Sequence, residues 1–341
     1  MLTYVVTGGA GFIGSHLVES LVAAGHRVRI IDNFSTGKSA NICVAAECVQ
    51  ADILDLDAIQ PVFRGANGVF HFAALPRVQY SIEHPRETNA ANITATLHVL
   101  EAARVAGVKR VVYSASSSAY GDQPTLPLHE DMKPNPKSPY GLQKLVGEEY
   151  CRIYSLCHNL ETVSLRYFNV YGPRMADEGA YVTVISIFLR QRKANQPLTI
   201  TGDGTQTRDF THVRDVVRAN ALAMESPKVG HGEVINIGAG ANQSVNEVAR
   251  LIGGPVTYLP PRLEPHDTLA DNRRARELLG WSPQARFEDG IGELLELHGL
   301  TERRPAPIGL VPTPDASIGT SEASGASGAA EVREPALAAA A

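Results

Sequence analysis

The chain has 341 residues, 44% hydrophobic and 20% charged, which excludes global disorder and suggests two domains. Lys and Arg number 31 against 36 Asp and Glu, and the net charge of -5 excludes any overall attraction to nucleic acid or anionic membranes. No run approaches about 18 apolar residues, strand-like sequence follows Met1 at once, and the four cysteines lack metal-ligand spacing, so a reduced, cytoplasmic chain without a leader or a metal is expected.

In chain order, Leu2–Thr7, Arg27–Asp32, Val69–Ala73, Arg110–Ala115 and Thr162–Tyr167 read as strands, most of them apolar on both faces. Amphipathic stretches at Ile13–Ala24, Pro85–Ala106 and Pro139–His158 read as the intervening helices. Repeated β-α-β units predict an α/β fold with a doubly wound parallel sheet. After Asn169 the elements shorten and become Pro/Gly-rich, as in a smaller α/β domain closing over the sheet's carboxyl edge. Residues 301–341, rich in Ala, Gly, Ser and Pro and without an aromatic residue, are expected to form a disordered tail.

Between the first strand and first helix lies Thr7-Gly8-Gly9-Ala10-Gly11-Phe12-Ile13-Gly14. Glycines at 8, 11 and 14 permit a tight turn and let backbone N–H groups approach a pyrophosphate at the helix N-terminus, with Phe12 and Ile13 beside it. Asp32 ends the second strand; a carboxylate there accepts from ribose hydroxyls and repels a 2′-phosphate, which predicts NAD over NADP. Asn33, Ser35, Thr36 and Gly37 could complete the ribose pocket, and Asp52-Ile53, taken as the end of the third strand, the adenine site. Asp52 also suits a helix N-cap.

Tyr140 and Lys144 stand at i and i+4 on a helix that Ser138 caps and Pro139 opens, so they share a face. A phenol needs its pKa lowered by about 3 units to act as a base at neutral pH; a nearby ammonium and a cationic nicotinamide ring both act in that direction. Ser116, at a serine-rich strand end, can hydrogen-bond the reacting hydroxyl. His71 and Trp281 read as structural and core residues, and mid-helix Asn92 is a poor helix former.

With these motifs the sequence resembles the NAD-dependent UDP-sugar 4-epimerases of the extended short-chain dehydrogenase/reductase superfamily, from Met1 to about Leu300. His71-Phe72-Ala73-Ala74, Arg166-Tyr167-Phe168-Asn169-Val170-Tyr171-Gly172, Gly202–Phe210 and Leu279–Pro283 carry the likeness further. The resemblance implies a Rossmann domain over residues 1–168 and a mainly substrate-binding domain over 169–300, partly interleaved with it. It implies that Ala73, Ala74, Phe168 and Tyr140 surround the nicotinamide ribose. Asn92 would order a water or backbone nearby. Asn169, Arg208 and Arg262 would hold the nucleotide diphosphate, and Thr199 and Thr201 would lie along the uridine. It implies a homodimer through Pro85–Ala106 and Pro139–His158, with NAD retained as a prosthetic group. Related dehydratases and decarboxylases carry an acid beside the active Ser or Thr, where Ser117 and Ser118 stand here. Regulators of the superfamily that only bind NAD typically lack the Tyr or Lys, which are both present.

The identity of the sugar rests on finer features. Thr268 matches a position that gates sugar size in the family, and a small residue there admits a larger substituent, as in UDP-N-acetylglucosamine. Pro76, Arg77, Met175 and Thr183 depart from that branch, with Thr183 and Val184 at the pocket. With Tyr181–Lys193 drawn as a helix at 100° per residue and Val182 at zero, Val182, Val184, Ile185, Phe188 and Leu189 span an arc of about 200° to 360°. Arg192 falls in that arc at about 280° and Arg190 outside it. A guanidinium on an apolar face calls for an anion, such as the carboxylate of UDP-glucuronate, an internal acid, or escape to solvent. The uronate is the expectation, with Arg192 on the sugar carboxylate, Arg77 a second candidate, and the Ser116–Ser118 hydroxyls assisting.

Overall fold

The computed structural model describes residues 1–76, 78–176, 183–261 and 267–300. The first part of the chain runs β1 (Thr3–Thr7), α1 (Phe12–Ala23), β2 (Arg27–Asp32), β3 (Glu47–Gln50), α2 (Leu56–Ile59), β4 (Gly68–His71), α3 (Val78–Glu83) and α4 (Pro85–Asn89). A π-helical turn at Ala90–Thr94 leads into α5 (Ala95–Val105), β5 (Arg110–Ser116), α6 (Pro139–His158), β6 (Glu161–Tyr167) and β7 (Val170–Tyr171). Then come α7 (Val184–Lys193), β8 (Leu198–Thr201), β9 (Thr207–Asp209), β10 (Thr211–His212), α8 (Val213–Glu225) and β11 (His231–Ile237). The described part closes with β12 (Asn242–Ser244), α9 (Val245–Ile252), β13 (Val256–Leu259), α10 (Arg273–Leu279) and α11 (Phe287–Leu297).

Seven strands form one sheet in the order β11-β6-β5-β4-β1-β2-β3, and every pair in it is parallel. This is the Rossmann topology. The chain leaves β1 toward β2 and β3 on one side and returns through β4 on the other, which opens a crevice at the carboxyl ends of β1 and β4. The seventh strand, β11, comes from beyond residue 169. It is why Ile235 and Ile237 pack in one core with Val6, Val28 and Leu165, while Ile185, Phe188, Val248 and Ile291 form a separate core.

The strand residues are buried on both sides because helices cover both faces. On one face Val5, Val69 and Val111 meet Val99, Leu100 and Ala103 of α5. On the other, α1 and α8 pack against Tyr4, Val6 and Phe70. Trp281 is fully buried and its indole N–H donates to the Asp215 carbonyl at 2.9 Å. The stretch Pro85–Ala106, expected as one helix, runs helically from Pro85 to Val105 with a π turn around Asn92 inside it. The third strand ends at Gln50, two residues before Asp52. Helix α7 begins at Val184, where the Thr183 side chain accepts from Ser186 N–H; Tyr181, Val182 and the tail 301–341 lie outside the described residues.

Candidate active site

A cavity of about 1240 Å³ opens along the carboxyl edge of the sheet. Gly8 sits at φ +71, and a Cβ there would stand 2.7 Å from the Ala73 amide nitrogen, so the turn after β1 closes on the β4 loop only with glycine. A Cβ on Gly14 would collide with the Gly8 carbonyl. Helix α1 has no side-chain cap at Gly11, which leaves its first-turn amides for an anion. Asp32 accepts from Ala10 N–H at 2.9 Å and Phe34 N–H at 2.8 Å, which fixes it at the end of β2. Asp52 accepts from Asn33 at 2.9 Å and from Leu54 N–H at 2.9 Å; the cap of α2 is Asp55. This turn, helix and carboxylate fit the pyrophosphate and adenosine ribose of NAD, and no phosphate-binding cation stands beside Asp32 in the cavity wall among the described residues.

The catalytic candidates meet farther along the same cavity. Ser138 caps α6 by accepting from Gly141 N–H at 3.1 Å, Pro139 takes the first turn, and Tyr140 and Lys144 follow on one face. A Cβ on Gly141 would stand 2.7 Å from the Ser118 carbonyl, so glycine lets the helix start press against the end of β5. The Ser116 hydroxyl receives Ser118 Oγ at 2.8 Å and hydrogen-bonds the Tyr140 phenol. Lys144 is buried; its Nζ donates to the Ser114 carbonyl at 2.7 Å and lies 5.0 Å from the centre of the Tyr113 ring.

Without the cofactor's charge, burial dominates both protonation states. Burial pushes Tyr140 up to about 12, opposed by the Ser116 hydrogen bond, and burial pulls Lys144 down to about 8. The phenol needs added positive charge in the cleft before it can ionise at neutral pH. His71 is held neutral by burial, at about 3, between Thr7 (2.7 Å) and Thr96 (3.0 Å). Asn92 accepts from Leu75 N–H at 2.7 Å and donates to the Leu75 carbonyl at 3.1 Å and to Gln143 at 2.8 Å. It thereby ties the backbone of the Phe72–Pro76 loop to the Gln143 side chain of the catalytic helix, and it does not line the cavity itself.

Of the expected cofactor residues, Gly8, Gly11, Phe12, Ile13, Asp32, Asn33, Ser35, Thr36, Asp52, Ile53, Ala73, Ala74, Tyr140 and Lys144 line the cavity. Gly37 lies behind Asp32, where a Cβ would stand 2.8 Å from the carboxylate. Phe168 turns inward to pack with Tyr120, Leu128 and Ala270. On the substrate side Ser116, Ser117, Ser118, Asn169, Thr183, Arg208 and Thr268 line it. Asn169 donates to the Asp209 carbonyl and to Thr268 Oγ1, both at 3.4 Å, and so joins the loops that carry Arg208 and Thr268.

Four substrate expectations fall elsewhere. Thr199 is engaged by Gln191, at 2.8 Å to its hydroxyl and 3.1 Å from its N–H. Thr201 gives its carbonyl to Gln206 at 2.8 Å, and Val184 packs on the second core. Arg192, expected on the sugar, donates to the Ile252 carbonyl at the C-terminal end of α9 and is absent from the cavity wall; the end of a helix supplies the partial negative charge that its position called for. Arg77 and Arg262 lie outside the described residues. Gln123–Leu126, Gln79 and Asp267 also line the cavity. The loop of Gln123–Leu126 joins a motif strand to a motif helix, and that position was the one available signal.

Comparison with known proteins agrees with this geometry. Residues 4–238 match the NAD dependent epimerase/dehydratase family. The chain belongs to that family and, like its epimerases, is an NAD-dependent isomerase. Within it the chain is 38% identical over 307 residues to the UDP-glucose 4-epimerase of Mycolicibacterium smegmatis, covering 86% of this chain and 97% of that one. The crystal structure of UDP-glucose 4-epimerase with UDP-glucose from Thermotoga maritima superposes with a TM-score of 0.82 at 37% identity, covering 86% of this chain and 98% of that one. The Bacillus cereus UDP-glucuronic acid 4-epimerase with UDP-glucuronic acid and NAD gives 0.80 at 34%, covering 87% and 99%.

Proposed function

We propose that the chain is a 4-epimerase that interconverts UDP-glucose and UDP-galactose. The observation that carries this choice of sugar is the likeness to the UDP-glucose 4-epimerases of Mycolicibacterium smegmatis and Thermotoga maritima. Among the described residues of the cavity wall the cations are Lys144, committed to the base, and Arg208, beside the loops suited to the diphosphate; Arg77, between the lining residues Pro76 and Val78, lies outside them. The groups left for the far end of the sugar are hydroxyls such as Ser117, Ser118 and Thr183, which suit a neutral hydroxymethyl. In this reading residues 1–168 form the NAD-binding domain and 169–300 mainly the substrate-binding domain.

The Gly8–Gly14 turn and Asp32 would hold NAD, which would supply the hydride acceptor and donor for C4 of the sugar. Tyr140, once ionised, takes the proton of the 4-hydroxyl, and Ser116 orients that hydroxyl by hydrogen bonding. Lys144 supplies an ammonium behind the phenol. Arg208 and Asn169 keep the nucleotide anchored while the 4-keto sugar turns, and Tyr140 then gives its proton back to the 4-oxygen. With serines at 117 and 118 no acid stands next to Ser116 to drive elimination or decarboxylation.

A second reading, UDP-glucuronate, draws support from those same hydroxyls, which can donate to a carboxylate, and from the likeness to the Bacillus cereus enzyme. Purified protein given UDP-glucose, UDP-glucuronate and UDP-N-acetylglucosamine separately, without added NAD, should show the highest kcat/KM on UDP-glucose. A higher value on the uronate would replace the first reading with the second, and a preference for the N-acetyl sugar would assign the room beside Thr268. A homodimer fits this reading: Leu142, Ile153 and Leu156 are exposed on the face of α6 opposite Tyr140, with Val105 exposed on α5. Light scattering should report twice the chain mass.

A further inference from the structure

We propose that Glu148, gripped by Arg166 inside the protein, is a positioning residue that keeps Lys144 an ammonium and through it sets the acidity of Tyr140. This rests on Tyr140 and Lys144 being the acid–base pair proposed above. Tyr140, Lys144 and Glu148 follow at intervals of four along α6 and share one face. Lys144 is 3% exposed and Glu148 2%. Arg166 of β6 holds Glu148 with two bonds, Nε to Oε1 at 2.9 Å and Nη2 to Oε2 at 2.7 Å. Its guanidinium lies 4.5 Å from the centre of the Tyr120 ring.

A carboxylate this buried takes up a proton unless a cation holds it charged. Burial raises Glu148 above its ordinary value on balance, and the Arg166 fork opposes that rise. The other groups facing the pair are neutral or outlying. Burial holds Tyr113 of β5 and Cys151 of α6 protonated, His71 of β4 is uncharged, and Tyr120 and Tyr167 are pushed above their ordinary range. Glu149 is bonded to Arg152 at 2.9 Å on the exposed side of α6. Glu148 therefore supplies the negative charge that acts most strongly on Lys144, while the Ser114 carbonyl supplies only a dipole.

The test is Glu148→Gln in the full, NAD-loaded protein. Without its carboxylate, Lys144 faces only the charge of Arg166. The basic limb of the kcat–pH profile should then move down by about one unit, so kcat should fall about twofold at pH 7 and nearly tenfold by pH 9, with KM nearly unchanged. Tyrosinate absorbance, corrected with Tyr140→Phe, should titrate at correspondingly higher pH, a readout that needs no turnover. The double variant Glu148→Gln/Arg166→Gln, which removes both charges, should return both curves toward wild type. A uniform loss of kcat with unmoved curves, or a double variant worse than the single, would make the pair purely structural and overturn the proposal. If Glu148→Gln does not fold, Glu148→Asp keeps the charge and should keep the limb in place; a displaced limb there overturns it equally. If Tyr140→Phe retains turnover, the acid–base reading itself falls, whatever Glu148 does.

Discussion

Replacing Lys144 by Met separates the charge of the ammonium from the packing of its stem. With the phenol pushed up to about 12, ionisation at pH 7 is about 7 kcal/mol uphill. Side chains one helical turn apart lie roughly 6 Å from each other, and at an effective dielectric of about 20 a unit charge at that distance contributes about 3 kcal/mol, or two pKa units. Lys144→Met should therefore lower kcat about hundredfold near pH 6.5 and leave KM for the UDP-sugar nearly unchanged. The ratio is itself pH-dependent. Wild-type Lys144, pulled down to about 8, sheds its charge as pH rises through that value, so the ratio should shrink from about hundredfold to about fourfold by pH 9.5. Steady-state turnover from about pH 6 to 9.5, coupled to oxidation of the product sugar, measures the ratio directly. A ratio that stays flat across the range would refute the electrostatic argument. Stability provides an independent check. Between about 8 and 10.5 the unfolded chain binds the proton that the folded chain has lost, so this lysine makes wild-type stability rise with pH in that window, and below it the buried ammonium costs about 3 kcal/mol. Met removes that cost and gives up one hydrogen bond to Ser114, worth about 1 kcal/mol, so the variant should melt higher at pH 7. A lower Tm would show that the buried ammonium does not destabilise the fold.

Arg192→Ala should lower stability by about 1 kcal/mol through the lost bond to the Ile252 carbonyl, and should leave the ratio of UDP-glucuronate to UDP-glucose turnover unchanged; a loss confined to the uronate would return this guanidinium to the pocket. Gly141→Ala puts a methyl 2.7 Å from the Ser118 carbonyl, so α6 must back away from Ser116; kcat should fall at least tenfold with a stability loss of about 1–3 kcal/mol, read by steady-state kinetics and thermal melting. Asp209 accepts from Ala239, Gly240 and Ala270 N–H at 2.6, 3.0 and 2.9 Å, yet burial pushes it from 3.8 up to about 6. The folded state then holds more protons than the unfolded state between those values, so its contribution to stability falls as pH climbs from 4 to 6. Asp209→Asn should flatten that part of the Tm–pH curve and, by offering a donor where N–H groups need an acceptor, lower Tm throughout.

What could be read from the chain was what neighbouring residues decide among themselves. The apolar run of β2 and the Ser138-Pro139 start of α6 gave bounds that hold to the residue, because propensity, capping and burial act together there. The Gly8–Gly14 turn was legible because at Gly8 and Gly14 a Cβ would collide with backbone. The misses are side chains whose partners come from distant segments. The helical wheel gave the face of Arg192, but its partner is a carbonyl 60 residues away on α9. Phe168 follows a strand whose end residue, Tyr167, faces the cavity, and only the packing of Tyr120 and Leu128 turns it inward. The π turn leaves the apolar period almost intact; what accompanies it is the grip of Asn92 on Leu75 and Gln143. The sequence names the cation beside the phenol but not the depth of burial, which pushes it up before any charge of the cofactor is present.

That raised pKa bears on why the cofactor would be kept. A phenol at about 12 is inert as a base until positive charge enters the cleft. If the cationic ring of bound NAD lowers that pKa, linkage requires that the ionised phenol tighten the hold on the ring by the same factor. Lys144 stands on the same side of this balance: its ammonium favours the phenolate, and Glu148 with Arg166 favours the ammonium. One column of residues on α6 would thus couple three things, namely a charged lysine, an ionised tyrosine and a retained oxidised cofactor. An enzyme that must return the hydride in every cycle needs that coupling, because the state that accepts the sugar is then the state that binds its cofactor most firmly. A dehydrogenase that exchanges its cofactor each turnover would be hindered by it.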